Sequence, residues 1–165
     1  MSSHAPRSVR ILVVAEDLTV RALAARVLER RGDEVVLANS LADGVDRGVD
    51  LSPDVAFVDV SEQQRMGLTL VHALRGAVPR VRIYALTTRH AVDAGAQALS
   101  LGADGVILIP PTGDEILLAI DKSRERLATE DAFLQLRAEA ERLRLAVAEA
   151  TRLASMTSLS FSGVA

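Results

Sequence analysis

The sequence predicts an α/β fold, a doubly wound five-stranded parallel sheet followed by a long C-terminal helix. Three observations predict it. Apolar runs of four to six residues recur at 11–14, 34–38, 55–58, 82–86 and 105–110, the length of strands buried on both faces. Between the runs, apolar residues return at helical spacing, so strand and helix alternate and the crossovers are right-handed. Hydrophobic residues make up 49% of the 165-residue chain but aromatics only 2%, which suits a sheet of Val, Leu and Ile under helices better than a sandwich with aromatic anchors.

The first run leaves its strand through Ala15, Glu16 and Asp17, and Val20, Leu23, Ala24, Val27 and Leu28 then mark a helix that Gly32 stops. The turn between them has no glycine, so backbone amides cannot crowd around a phosphate as a dinucleotide fold or P-loop requires. After the second strand, Ser40 with Asp43 is a helix-start signal for a short helix to about Val49, weakened by Gly44 and Gly48 at about 1 kcal/mol each. Pro53 precedes the central run, which ends on the carboxylate of Asp59. A polar loop at 61–66 leads to Gly67 and a helix carrying Leu68, Leu70, Val71 and Leu74. The fourth run ends at Thr87 and Thr88, with a helix to Leu101 and Gly102 as its cap. The fifth closes on Pro110 and Pro111, and Thr112 with Glu115 forms a capping box for the last helix.

Beyond Ser123 the chain is rich in Ala, Leu, Glu and Arg, and no proline or glycine appears until Gly163. Phe133, Leu136, Ala140, Leu143, Val147, Ala150 and Ala154 alternate spacings of three and four, the seam of a coiled coil. A parallel two-stranded dimer is expected, thinned by its alanines, with Glu139 facing Arg144 across it; an antiparallel hairpin or a single helix is the alternative. The expected organisation is a disordered start at 1–8, a globular domain at 9–125, a coiled-coil helix at 126–156 and a linker or disordered tail at 157–165.

Composition excludes several functions. A net charge of −3 and the lack of a basic stretch interleaved with aromatics argue against nucleic-acid binding. With no cysteine, disulfides and thiolate chemistry are absent. No run approaches the ~18 apolar residues of a membrane span, and the start lacks a signal core, so a cytoplasmic protein is expected. Of 19 basic residues 18 are arginine, and Lys122 is the sole lysine.

Ligands of open α/β sheets collect beyond the carboxyl ends of the strands, where Glu16, Asp59, Thr87 and Ile109 converge. Asp59 either caps the turn that follows it or takes part in chemistry. Two carboxylates there repel unless a hard cation such as Mg2+ bridges them, with a backbone carbonyl such as that of Ser61 completing the set. A hydroxyl at Thr87 is suited to donate to a phosphoryl oxygen.

These residues resemble the receiver domain of bacterial two-component response regulators, a flavodoxin-like fold, over residues 9 to about 123. The resemblance places Asp59 on the phospho-accepting aspartate, Thr87 on the switch hydroxyl, the Gly102 to Asp104 turn before the fifth strand, and Pro110 on a proline often preceded by a cis bond. It implies a histidine kinase or other signalling protein as partner. Four parts of the family's site are altered. Ala15 and Glu16 stand for its acidic pair, Ile109 for its lysine, Val106 for its aromatic lever and Thr88 for a small residue. Hence Mg2+ at Glu16, Asp59 and Ser61 is expected to be weak or lost, and phosphoryl transfer is expected to be slow for want of the lysine unless Arg65 or Arg89 reaches over the site. The expected function is a non-enzymatic, dimeric interaction module in a phosphorelay, with Asp59 vestigial or weakly phosphorylated. A working phospho-aspartate switch driving an output through the coiled coil, and a flavodoxin-like ligand binder or enzyme, are the alternatives. The chain is either a stand-alone adaptor or part of a longer protein.

Overall fold

The computed structural model describes residues 8–61 and 66–161. Strands β1 (Arg10–Val14), β2 (Glu34–Ala38), β3 (Val55–Asp59), β4 (Arg82–Thr87) and β5 (Gly105–Leu108) form one sheet in the order β2-β1-β3-β4-β5. Every pairing is parallel. Helices α1 (Leu18–Leu28), α2 (Leu41–Leu51), α3 (Met66–Ala77), α4 (Val92–Ser100) and α5 (Gly113–Phe161) alternate with the strands. Because the strand order reverses between β1 and β3, a crevice opens beyond their carboxyl ends.

Period-two alternation divides each buried strand between two cores. Ile11, Val13, Val55, Phe57 and Leu86 join Val20, Ala24, Leu28, Ile116 and Ile120 on the α1 and α5 side. Leu12, Val14, Ala56, Val58, Ile83 and Ala85 join Leu70, Val71, Leu74 and Ala98 on the other. The runs read as continuously apolar because both faces are covered.

Boundaries differ from expectation where backbone partners decide them. β4 extends to Thr87, whose carbonyl accepts from the Ile109 amide at 2.7 Å. β5 stops at Leu108, two residues short of expectation, and Pro110 behind it has no N–H to continue a ladder. α2 reaches Leu51. Its glycines are close-packing positions rather than weak points: a Cβ on Gly48 would meet Leu74 at 2.8 Å, and one on Gly44 would meet Val14 at 3.0 Å and Leu70 at 3.1 Å. α5 is one unbroken helix through Phe161, so 157–161 is helical where linker was expected. No helix breaker intervenes, and Thr151, Ser155 and Thr157 turn their hydroxyls back onto carbonyls four residues earlier. Of the start expected to be disordered at 1–8, Ser8 is placed, its hydroxyl donating to the Gly32 carbonyl at 3.1 Å, while 1–7 and 162–165 lie outside the described residues. The chain falls into two compact units that divide between Arg124 and Glu125.

The abundance of arginine has a structural reading, because a planar fork binds a carboxylate and carbonyls together. Arg10 donates to both oxygens of buried Asp54 and to the Leu51 carbonyl. Arg75 ties the Gly102, Pro79 and Val81 carbonyls to Asp104. Arg124 pairs with Asp33, whose side chain is 1% exposed.

The capping box at the start of α5 forms as expected. The Glu115 carboxylate accepts from the Thr112 amide at 2.8 Å and its hydroxyl at 2.9 Å, while the Thr112 hydroxyl accepts from the Glu115 amide at 3.2 Å. The Thr112 backbone bond first, then its side chain, holds the Glu115 carboxyl below its ordinary 4.5. A carboxylate lowered on folding contributes stability that is present above its ordinary value and lost as pH falls through the lowered one. The protection of the amides at residues 113–116, taken relative to their intrinsic exchange rates at each pH, is therefore expected to fall as pH drops below 4.5, and Glu115→Gln to flatten that dependence.

Candidate functional site

The sheet delivers Ala15, Glu16 and Asp59 to a cavity of about 120 Å³ beyond its carboxyl edge, with Asn39 and Ser40 from the end of β2 and Met66, Gly67 and Leu70 from α3 completing the wall. Asp59 is half-buried. Its Oδ1 accepts the Ser61 amide at 2.9 Å and the Ser61 hydroxyl at 2.5 Å, so the carboxylate organises the turn that leaves the strand. Gly67 lies hard against that strand end: a Cβ there would stand 2.2 Å from the Asp59 carbonyl oxygen. Only a residue without a side chain lets α3 begin beside the end of β3.

Glu16 shares the cavity with Asp59 and is otherwise exposed. Its loop is clamped from α1. The Arg21 guanidinium donates to the Ala15 carbonyl and, at 2.8 Å, to that of Glu16. Asp17 caps α1 by accepting the Thr19 amide at 2.6 Å.

The other expected site residues are directed elsewhere. Thr87 is 1% exposed and its hydroxyl donates to the Ala91 carbonyl at 2.7 Å, which holds it to the start of α4. Val106 is partly exposed on the α4 side, where the space left by Gly95 admits it; a Cβ on Gly95 would come 3.0 Å from Val106 and 3.3 Å from Thr87. Ile109 packs against the apolar core of the α1 and α5 side. His90, His72 and Arg89 are exposed, and Thr88 is half-buried. Arg65 lies outside the described residues, and none of the described arginines lines the cavity.

Sequence reasoning therefore brought Glu16 and Asp59 together correctly. It missed Asn39 and Ser40, whose signal was their place at the end of β2, and Arg21, whose signal was a cation one turn into α1.

A family model for the response regulator receiver domain matches residues 11–121. The chain belongs to the response regulator receiver family. It is a receiver domain of two-component signalling. The chain is 34% identical over 125 residues to the response regulator MprA of Mycobacterium tuberculosis, covering 76% of this chain and 54% of that protein. It thus spans a little over half the length of the curated relatives it matches. Among solved structures, a CheY-like receiver domain protein from Methanospirillum hungatei superposes with a TM-score of 0.69 at 22% identity, over 75% of this chain and 99% of that one. A response regulator from Burkholderia pseudomallei, solved with a phosphorylated aspartic acid, a calcium ion and citrate, gives 0.62 at 27% identity, over 74% of this chain and 72% of that one.

Receiver domains typically bind Mg2+ at the phosphorylation site. The donors in this receiver do not fit a tightly held ion. Ala15 contributes no carboxylate, Oδ1 of Asp59 already accepts two hydrogen bonds, and the described residues contain no group of three acids, histidines or cysteines able to hold a metal. Among the described residues, no cation lines the cavity beside its two acids.

Proposed function

We propose that this receiver is an atypical one, a dimeric protein-interaction module whose Asp59 is weakly phosphorylated or not at all. The observation that carries the reading is Ile109. A hydrocarbon side chain packed against the apolar core stands where the family resemblance places a lysine, and no described arginine lines the cavity in its stead. The receiver acts by binding rather than as an enzyme in its own right, in the cytoplasm, with a histidine kinase or another signalling protein as partner. Magnesium titration by calorimetry tests the acidic half of the reading. Ala15→Asp is expected to give saturable heat at concentrations where the unaltered chain gives none; equal saturation of both sinks it.

The dimer rests on α5. Phe133, Leu136, Leu143 and Val147 are 65%, 66%, 62% and 65% exposed on a seam with the period of a coiled coil. Such a stripe is unfavourable in water at roughly 25 cal/mol per Å² of apolar surface, and a second copy of the same helix covers it while placing Glu139 beside Arg144. Light scattering is expected to report a dimer for the whole chain and a monomer for Leu136→Asp with Leu143→Asp. A monomer in both cases rejects the seam.

A working phospho-aspartate switch is the second reading. It is favoured by the common cavity of Glu16 and Asp59 and by the phosphorylated aspartic acid of the Burkholderia pseudomallei relative.

A further inference from the structure

Besides the apolar packing of Ile116 and Ile120, an aromatic hydroxyl ties helix α5 to the sheet. Tyr84 sits opposite Phe57 in the β3 and β4 pairing, and the two rings stack with centroids 5.7 Å apart at an interplanar angle of 25°. Phe57 lies two residues before Asp59 on the same strand, hence on the same face. From the far end of the ring, the Tyr84 hydroxyl donates to the Ala119 carbonyl at 3.2 Å and lies 3.4 Å from the Ser123 hydroxyl. Ser123, 1% exposed, donates to the same carbonyl at 2.7 Å. Gly105 opens the space for the ring, since a Cβ there would stand 3.0 Å from Tyr84 Cδ1.

We propose that Tyr84 couples the acceptor strand to α5, so that a change of charge or hydrogen bonding at Asp59 moves the Phe57 and Tyr84 stack and thereby the hydroxyl that seats α5 at Ala119 and Ser123. The inference rests on reading the Asp59 end as the input of the receiver. It does not require phosphorylation. The other route from site to surface, through Val106, leads to the opposite face of the sheet, where the valine is packed on Gly95 of α4. A Tyr ring is a rigid lever with its polar atom at the tip, so a small tilt at the sheet becomes a displacement at the helix. Interacting positions in such a network are recognised by non-additive responses to paired substitutions.

Hydrogen exchange at residues 119–124 in the whole chain provides the test. Asp59→Asn is expected to change exchange there by about threefold or more, and by less than about 1.5-fold when Tyr84→Phe is also present. Ser123→Ala is expected to blunt the response in the same way and decides the matter if Tyr84→Phe does not fold. Tyr84 is the sole tyrosine and there is no tryptophan, so intrinsic tyrosine emission reports on this residue alone, and its intensity is expected to change with Asp59→Asn. No change in exchange with Asp59→Asn, or an equal change in the Tyr84→Phe and Ser123→Ala backgrounds, overturns the proposal. Rapid acyl-phosphate accumulation in the unaltered chain overturns the weak-acceptor reading instead and leaves this coupling standing.

Discussion

Ile109→Lys combined with Ala15→Asp is expected to raise the rate at which Asp59 takes a phosphoryl group from a small-molecule donor by about two to three powers of ten. In that step a carboxylate oxygen of Asp59 bonds to phosphorus and the donor's leaving group departs with the bonding pair. The barrier includes the cost of bringing an anion to a cavity that already holds Glu16 and Asp59. A lysine about 4 Å from the transferred group contributes on the order of 4 kcal/mol at an effective dielectric of 20. Each ~1.4 kcal/mol is a factor of ten in rate, and that contribution acts on charge that develops during transfer. Ala15→Asp restores the carboxylate that the donor set lacks. A long lysine can leave its methylenes on the apolar core that Ile109 now covers while its ammonium reaches the rim. Asp59→Asn in the same background is expected to abolish the gain, as followed by intact mass over time.

Gly67→Ala is expected to be the most damaging single substitution at the site. A methyl group placed 2.2 Å from the Asp59 carbonyl oxygen cannot be accommodated by a rotamer change, because the obstacle is backbone. Either the start of α3 or the end of β3 must move, at a cost of about 3 kcal/mol, the upper part of the overpacking range. For a domain of this size that corresponds to a fall in Tm on the order of 10 °C. Gly76→Ala, in the same helix but with nothing within 4 Å of its Cβ, is the control and is expected to be neutral or slightly stabilising in thermal melts.

The same contrast shows what a sequence conveys and what it withholds. Strand and helix order was legible because buried parallel strands leave uninterrupted apolar runs, as at β1 and β3. Local caps were legible too: Ser40 accepts from Asp43, and Thr112 and Glu115 bond reciprocally. Glycines were not. By propensity Gly44 and Gly48 weaken α2, yet their missing side chains are what lets α2 press on β1 and α3. The resemblance placed Thr87 at the switch position, but its commitment to Ala91 depends on the path of the chain into α4. Pairs such as Arg10 with Asp54 and Arg124 with Asp33 join residues 44 and 91 positions apart, a distance no local pattern spans. Asp59 shows how far local pattern reaches. The carboxylate does organise the turn through Ser61, and it also lines the cavity.

A disabled acceptor is most directly tested by the intact mass of the unaltered chain after incubation with a small-molecule phosphodonor and Mg2+. The account predicts almost no phosphate adduct under conditions in which the Ile109→Lys, Ala15→Asp variant becomes extensively modified. A magnesium-dependent adduct that accumulates on the unaltered chain as fast as on the variant, and disappears in Asp59→Asn, would contradict it.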